Sequence, residues 1–343
     1  MSELRWRLAD DDGGQTALFE EAVERHIGRG EFRGMEFLHV QARRVVNEVP
    51  KASRMPFRWT INAYRGCSHA CTYCFARPTH EYLGMNSGDD FDRRIVVKIN
   101  AVERVRAELS PARWAGDHIA MGTNTDPYQR CEGKYRLTQG IVGVLSAARN
   151  PFSILTKSTL ILRDVELLAD AAQRTEVRAN FSIGTLDEDV WRLTEPGTPH
   201  PLRRVEAVAR LNEAGVPCGV LVAPILPGLS DGPDQLEAVV KACVAAGARS
   251  ITPLLLHLRA GVREHYLAWL DGARPDLVER YGQLYPKAYA PAKRQDELAA
   301  TVRRLVDRHG GRSARPDQAR SVTPRPVPAS PATDAARQLQ LGV

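Results

Sequence analysis

No stretch of this 343-residue sequence approaches the roughly 18–20 uninterrupted apolar residues that a membrane span requires. The opening segment MSELRWRLADDDGG has no apolar core, which speaks against a secretory leader, so a cytoplasmic protein is expected. Cysteine is scarce. Six residues are too few for a disulfide framework in a chain of this length, and in a reducing compartment they point to metal binding or catalysis. Also missing is any G-x-G-x-x-G or G-x4-G-K-[ST] fingerprint after a candidate strand, which weakens a nucleotide-binding doubly wound fold.

Charge adds little. The net charge of +6 permits a nucleic-acid partner. Residues 311–343, however, carry five arginines against two aspartates, a net of +3 and half the total. That segment is rich in Pro, Ala and Arg without apolar periodicity, and we expect a disordered basic tail there. The remaining chain is only mildly basic.

The interior has one repeating rhythm. Candidate strands are FRWTINAY (57–64), HIAMGT (118–123), FSILTK (152–157), VRANFSI (177–183), PCGVLVA (217–223) and SITPLLLH (250–257). Helix-like segments alternate with them at 100–110, 138–150, 164–174, 201–215 and 233–247. Gly215 and Gly247 suit the residue that closes a helix, and Asp164 suits an N-cap. Such alternation predicts a parallel sheet of βαβ units, either open or curled into a full or partial barrel. In both arrangements ligands gather at the C-terminal ends of the strands. We divide the chain into an N-terminal extension (1–50, helical in parts), a core (51–260), a C-terminal helical region (261–310) and the tail.

Directly after the first strand comes GCSHACTYCFARPTH, with Cys67, Cys71 and Cys74 spaced C-x3-C-x2-C. A structural zinc takes four ligands and would have to recruit His69, His80 or the distant Cys131. His69 lies between two of the cysteines and is poorly placed to join them. Taken literally, the count of three suits a 4Fe–4S cluster that leaves one iron open for another ligand. Cys131, Cys218 and Cys243 read as free thiols, the last two in apolar patterns.

C-x3-C-x-aromatic-C after the first strand of a (β/α)6 pattern resembles the radical S-adenosylmethionine superfamily. NAYRGCSHACTYCFARPTHEYLG (62–84), TNTDPYQRCE (123–132), ILTKSTLILRD (154–164), SIGTLDEDVWRLTEPGTP (182–199) and APILPGLSD (223–231) are similar to its spore-photoproduct-lyase-like, DNA-repair-photolyase-like members. The resemblance implies a partial (β/α)6 TIM-like barrel and an enzyme, with lyase activity one candidate. It also implies reductive cleavage of S-adenosylmethionine to a 5′-deoxyadenosyl radical, and an electron donor such as a flavodoxin or ferredoxin. Carried over position by position, Cys67, Cys71 and Cys74 ligate the cluster and Tyr73 lies beside the adenine. Asn124, Thr125 and Asp126 occupy the loop that meets the methionine amino group. Lys157 and Ser182 match positions that hold the methionine carboxylate and ribose, while Ala223 and Pro224 line the adenine pocket. Arg203 and Arg204 are either a charged helix face or partners of an anion.

One departure bears on the substrate. Where spore photoproduct lyase carries a hydrogen-donating cysteine, at the tip of the second strand, this sequence reads MGTNTD. No second cysteine cluster follows, which argues against an auxiliary iron–sulfur centre. The substrate stays open, with DNA lesion repair as one alternative and a non-catalytic, zinc-containing nucleic-acid-binding protein as another.

Overall fold

The computed structural model describes residues 24–50, 53, 55–110 and 114–312. The tail expected from residue 311 lies outside them apart from Gly311 and Arg312, as do the first 23 residues of the N-terminal extension.

The strands are β1 (Glu24–Ile27), β2 (Glu36–Val40), β3 (Val46–Glu48), β4 (Trp59–Ile61), β5 (Tyr64–Arg65), β6 (Arg94–Lys98), β7 (Ile119–Met121), β8 (Phe152–Thr156), β9 (Val177–Ser182), β10 (Cys218–Ile225) and β11 (Ile251–Leu255). The helices are α1 (Asp89–Arg93), α2 (Ala101–Glu108), α3 (Glu132–Tyr135), α4 (Leu137–Ala147), α5 (Val165–Arg174), α6 (Glu188–Thr194), α7 (Pro201–Glu213), α8 (Pro233–Ala245), α9 (Val262–Ala273), α10 (Val278–Leu284) and α11 (Ala292–Arg308).

Six strands expected from the alternation form one parallel sheet in the order β4-β7-β8-β9-β10-β11, with β3 added antiparallel at the β4 edge. Among the described residues β3 and β11 do not pair, so the barrel is partial. Its strands read as near-continuous apolar runs because both faces are covered. Ile119, Met121, Phe152, Ile154, Phe181, Val220 and Val222 are all buried in the central core. Helix α11 closes over β11 and α8, burying Leu298, Val302, Leu305 and Val306 along one stripe. Each such side chain stabilises the fold by about 1.5–3 kcal/mol. Gly215 and Gly247 sit at positive φ (82° and 72°) just past α7 and α8, as their sequence context predicts.

Two expectations need correction. Residues 24–50 hold the strands β1, β2 and β3 and, of helix, only a single 3-10 turn at Gly30–Phe32; β1 and β2 join β6 and β5 in a four-stranded sheet in the order β1-β2-β6-β5. These strands are short, and their partner β6 (RIVVK) lies far along the chain, so no local periodicity marks them. Asp164 does not cap α5. Its carboxylate instead accepts hydrogen bonds from Arg163 at 2.8 Å and Gln139 at 2.7 Å.

Candidate active site

The cysteine loop leaves β5 and is suspended from several neighbouring segments. Cys67 N–H donates to the Phe91 carbonyl at 2.9 Å. Ser68 N–H donates to Gln129 Oε1 at 3.0 Å, and the other end of that amide, together with Thr125 Oγ1, donates to the Gly66 carbonyl. The buried guanidinium of Arg77 grips the Cys71 carbonyl through Nε (3.1 Å) and Nη2 (2.9 Å) and is paired with Asp92. On the opposite side lies the EPGT turn after α6. Thr72 N–H donates to the Thr194 carbonyl and Gly197 N–H to the His69 carbonyl, each at 3.0 Å. A Cβ at position 197 would stand 2.2 Å from the Ser68 carbonyl oxygen, so only glycine lets the two loops touch.

Cys67, Cys71 and Cys74 line a single cavity at the C-terminal ends of the barrel strands. The residues that the resemblance assigns to the cofactor line the same cavity: Tyr73, Asn124, Thr125, Asp126, Lys157, Ser182, Ala223 and Pro224. Their side chains differ in what they do. Asp126 accepts from Tyr128 N–H, Thr156 Oγ1 and Lys157 N–H (2.9, 2.7 and 2.7 Å) and faces His69 Nδ1 at 3.4 Å, so it braces the strand ends. Thr125 is buried against Gly66, and Asn124 is exposed. Arg204, one of the two arginines opening α7, is 1% exposed and belongs to the site's support; Arg203 faces solvent and Glu206.

A residue that sequence reasoning passed over sits at the centre of this support. Glu195, which precedes Pro196 in the segment RLTEPGTP, is buried and accepts from the Tyr73 hydroxyl. It lies 3.2 Å from Lys157 Nζ and 2.6 Å from Arg204 Nη2. Burial opposes its ionisation, but the Arg204 and Lys157 cations and the Tyr73 hydrogen bond outweigh that and hold the carboxyl down at about 2. Lys157 also donates to Ser182 Oγ at 2.6 Å, and Ser182 donates to the Ala223 carbonyl at 2.6 Å. The buried Arg204 and the partly buried Lys157 thus share one carboxylate, and of the three groups Lys157 lines the cavity.

The thiols are a matching donor set. Burial pushes Cys67, Cys71 and Cys74 up, so each is a neutral thiol until a metal displaces its proton. Their sulfurs do not all fall within 4.8 Å of one another. Tetrahedral zinc, with Zn–S distances near ~2.3 Å, draws thiolates closer together than that. A larger polynuclear cluster accommodates the wider spread. Of the supplementary zinc ligands considered above, His80 Nε2 bonds the Arg94 carbonyl at 3.0 Å and Cys131 is buried in the central core, whereas His69 lines the cavity and faces Asp126 at 3.4 Å.

Sequence comparison extends these observations. The chain is 44% identical over 300 residues to the uncharacterized protein Rv2578c of Mycobacterium tuberculosis, covering 87% of this chain and 88% of that one. It is 27% identical over 199 residues to the uncharacterized protein MJ0683 of Methanocaldococcus jannaschii, covering 57% and 70%. Among solved structures, one variant of spore photoproduct lyase superposes with a TM-score of 0.56 at 19% identity, over 80% of this chain and 79% of that chain. Another, with bound AdoMet and dinucleoside spore photoproduct, gives 0.52 at 17% identity over 76% of each. Residues 61–242, which run from the end of β4 into α8 and include the cysteine loop, match the Radical SAM superfamily, and the chain belongs to that superfamily of enzymes.

Proposed function

We propose that Cys67, Cys71 and Cys74 hold a 4Fe–4S cluster whose open iron, together with the adjoining cavity, receives S-adenosylmethionine. The observation that carries this reading is the convergence of three thiols and the Lys157–Ser182 pair on one cavity. Lys157 is the point charge for the methionine carboxylate. Glu195 and Ser182 hold that ammonium in place. Asn124, exposed on the cavity wall, serves the amino group, while Thr125 and Asp126 position the loop. Tyr73, fixed through its hydroxyl to Glu195, offers its ring to the adenine opposite Ala223 and Pro224. When bound, the cluster and cofactor supply one-electron reductive cleavage of the sulfonium. The chain's own residues bind, orient and exclude water.

The spore photoproduct lyase structure with bound dinucleoside supports DNA lesion repair as a second reading of the substrate. The loop after β7, Gly122-Thr123-Asn124-Thr125-Asp126, holds no thiol, and repair by this chain would need another hydrogen donor.

Anaerobic reconstitution with iron and sulfide tests the main reading. The expected outcome is a brown protein that, once reduced, converts S-adenosylmethionine to 5′-deoxyadenosine. A colourless protein that holds one zinc per chain and never forms that product would overturn it.

A further inference from the structure

Outside the cavity, one set of three metal-ligating side chains among the described residues meets the spacing of a single ion: Glu24, His26 and His39. β1 and β2 pair antiparallel with Glu24 opposite His39 and His26 opposite Phe37. Alternation along β1 puts Glu24 and His26 on one face of the hairpin, and the register brings His39 to that same face. One ligand atom from each lies within 4.8 Å of the other two. His26 Nε2 is 3.4 Å from Glu24 Oε2, and the two imidazole rings are 4.0 Å apart at 31°.

Helix α3 orients one of these donors from behind. His39 Nε2 is joined to the Tyr135 hydroxyl at 2.7 Å, which leaves Nδ1 to face a ligand. A hydrogen bond on the far nitrogen is how metal-binding imidazoles are held in one tautomer and one orientation. Two imidazoles and one carboxylate suit a borderline divalent ion and not a soft monovalent one.

We propose that the β1–β2 hairpin binds one divalent transition ion of the zinc class through Glu24, His26 and His39, with water completing its coordination. The ion fastens β1, an edge strand whose four residues are all exposed and whose partner is β2 alone among the described strands. This site is independent of the cysteine cluster and stands or falls separately from it.

The test uses the full chain after cluster reconstitution and removal of free metal. Zn2+ is titrated calorimetrically, and Cu2+ is followed by electron paramagnetic resonance. The expected result is one equivalent bound with micromolar affinity, and a copper signal split by two imidazole nitrogens. His26→Ala and His39→Ala each weaken binding at least about tenfold. His309→Ala, on the α11 side of the molecule, leaves it unchanged. Because the cysteine loop can itself take zinc, the titration is repeated in the Cys67→Ser/Cys71→Ser/Cys74→Ser chain, where the equivalent must persist. Loss of that equivalent with the cysteines, indifference to both histidine variants, or no binding below about 1 mM overturns the proposal.

Discussion

The Glu195 carboxylate joins two cations from different elements: Lys157, just past β8, lies 3.2 Å from Oε1, and Arg204, in α7, lies 2.6 Å from Oε2. The arrangement has a pH signature. Glu195 ionises at about 2 in the folded chain against an ordinary 4.5, so the folded state binds fewer protons than the unfolded one across that interval. Its stabilisation is complete above pH 4.5 and disappears as pH falls toward 2. The gap corresponds to about 3 kcal/mol. Glu195→Gln removes it and should lower unfolding free energy at pH 7 by about 3 kcal/mol, since the buried Arg204 and the partly buried Lys157 lose their shared counter-ion. Urea midpoints between pH 7 and 3 would show a shallower acid slope in the variant; equal slopes would contradict the assignment.

Lys157 can be removed with less structural damage, because Arg204 still neutralises Glu195. Lys157→Ala should therefore leave the fold intact and weaken S-adenosylmethionine binding about 10- to 100-fold, the worth of a hydrogen bond to a charged group. Equilibrium dialysis with the reconstituted protein measures this directly. Unchanged affinity would remove Lys157 from the cofactor site.

The contact between the cysteine loop and the EPGT turn predicts that Gly197→Ala is disruptive. Its methyl group would stand 2.2 Å from the Ser68 carbonyl oxygen and 2.9 Å from His69 Cα. Overpacking of this kind costs about 1–3 kcal/mol, and here the strain falls on the segment between Cys67 and Cys71. Iron and sulfide retained after reconstitution should drop along with stability. Gly143→Ala, in α4 with nothing within 4 Å of the added carbon, is the control and should stabilise the chain by about 0.5–1 kcal/mol.

The parts of this molecule that were legible in the sequence are those whose signal is local. The six barrel strands are apolar runs bounded by glycine and proline, and the cysteine spacing is contained in eight residues. The resemblance then directed attention to Lys157 and Ser182, which would otherwise look like an ordinary turn lysine and strand serine. What stayed hidden depends on pairing between distant segments. The β1-β2-β6-β5 sheet joins residues 24–40 to residues 94–98, and neither half announces the other. Glu195 is similar: before a proline it reads as turn chemistry, and only folding brings Tyr73, Lys157 and Arg204 around it. Arg203 and Arg204 read as either a charged helix face or partners of an anion, because a helix N-terminus gives no sign of which arginine turns inward; the buried one is Arg204.

At Lys98, by contrast with Glu195, removing the charge is expected to stabilise the chain. It ends β6 fully enclosed, its Nζ donating to the Asn62 carbonyl at 2.9 Å, and Asn62 in turn holds Thr123 and the Asn124 backbone beside the cavity. Burial, reinforced by the nearby Arg65 cation, pulls its ammonium down to about 7 from an ordinary 10.5. Between those values the unfolded chain holds the proton and the folded chain does not, so stability gains with rising pH. Below pH 7 the full penalty of a buried charge is present. Lys98→Met replaces the ammonium with an apolar chain of similar length. It should raise the unfolding free energy at pH 6, and the advantage over wild type should shrink steadily as pH climbs from 7 to 10. A constant difference across that range would mean that Lys98 keeps its proton in the folded protein. A net loss at every pH would mean that its hydrogen bond to Asn62 outweighs the cost of burial.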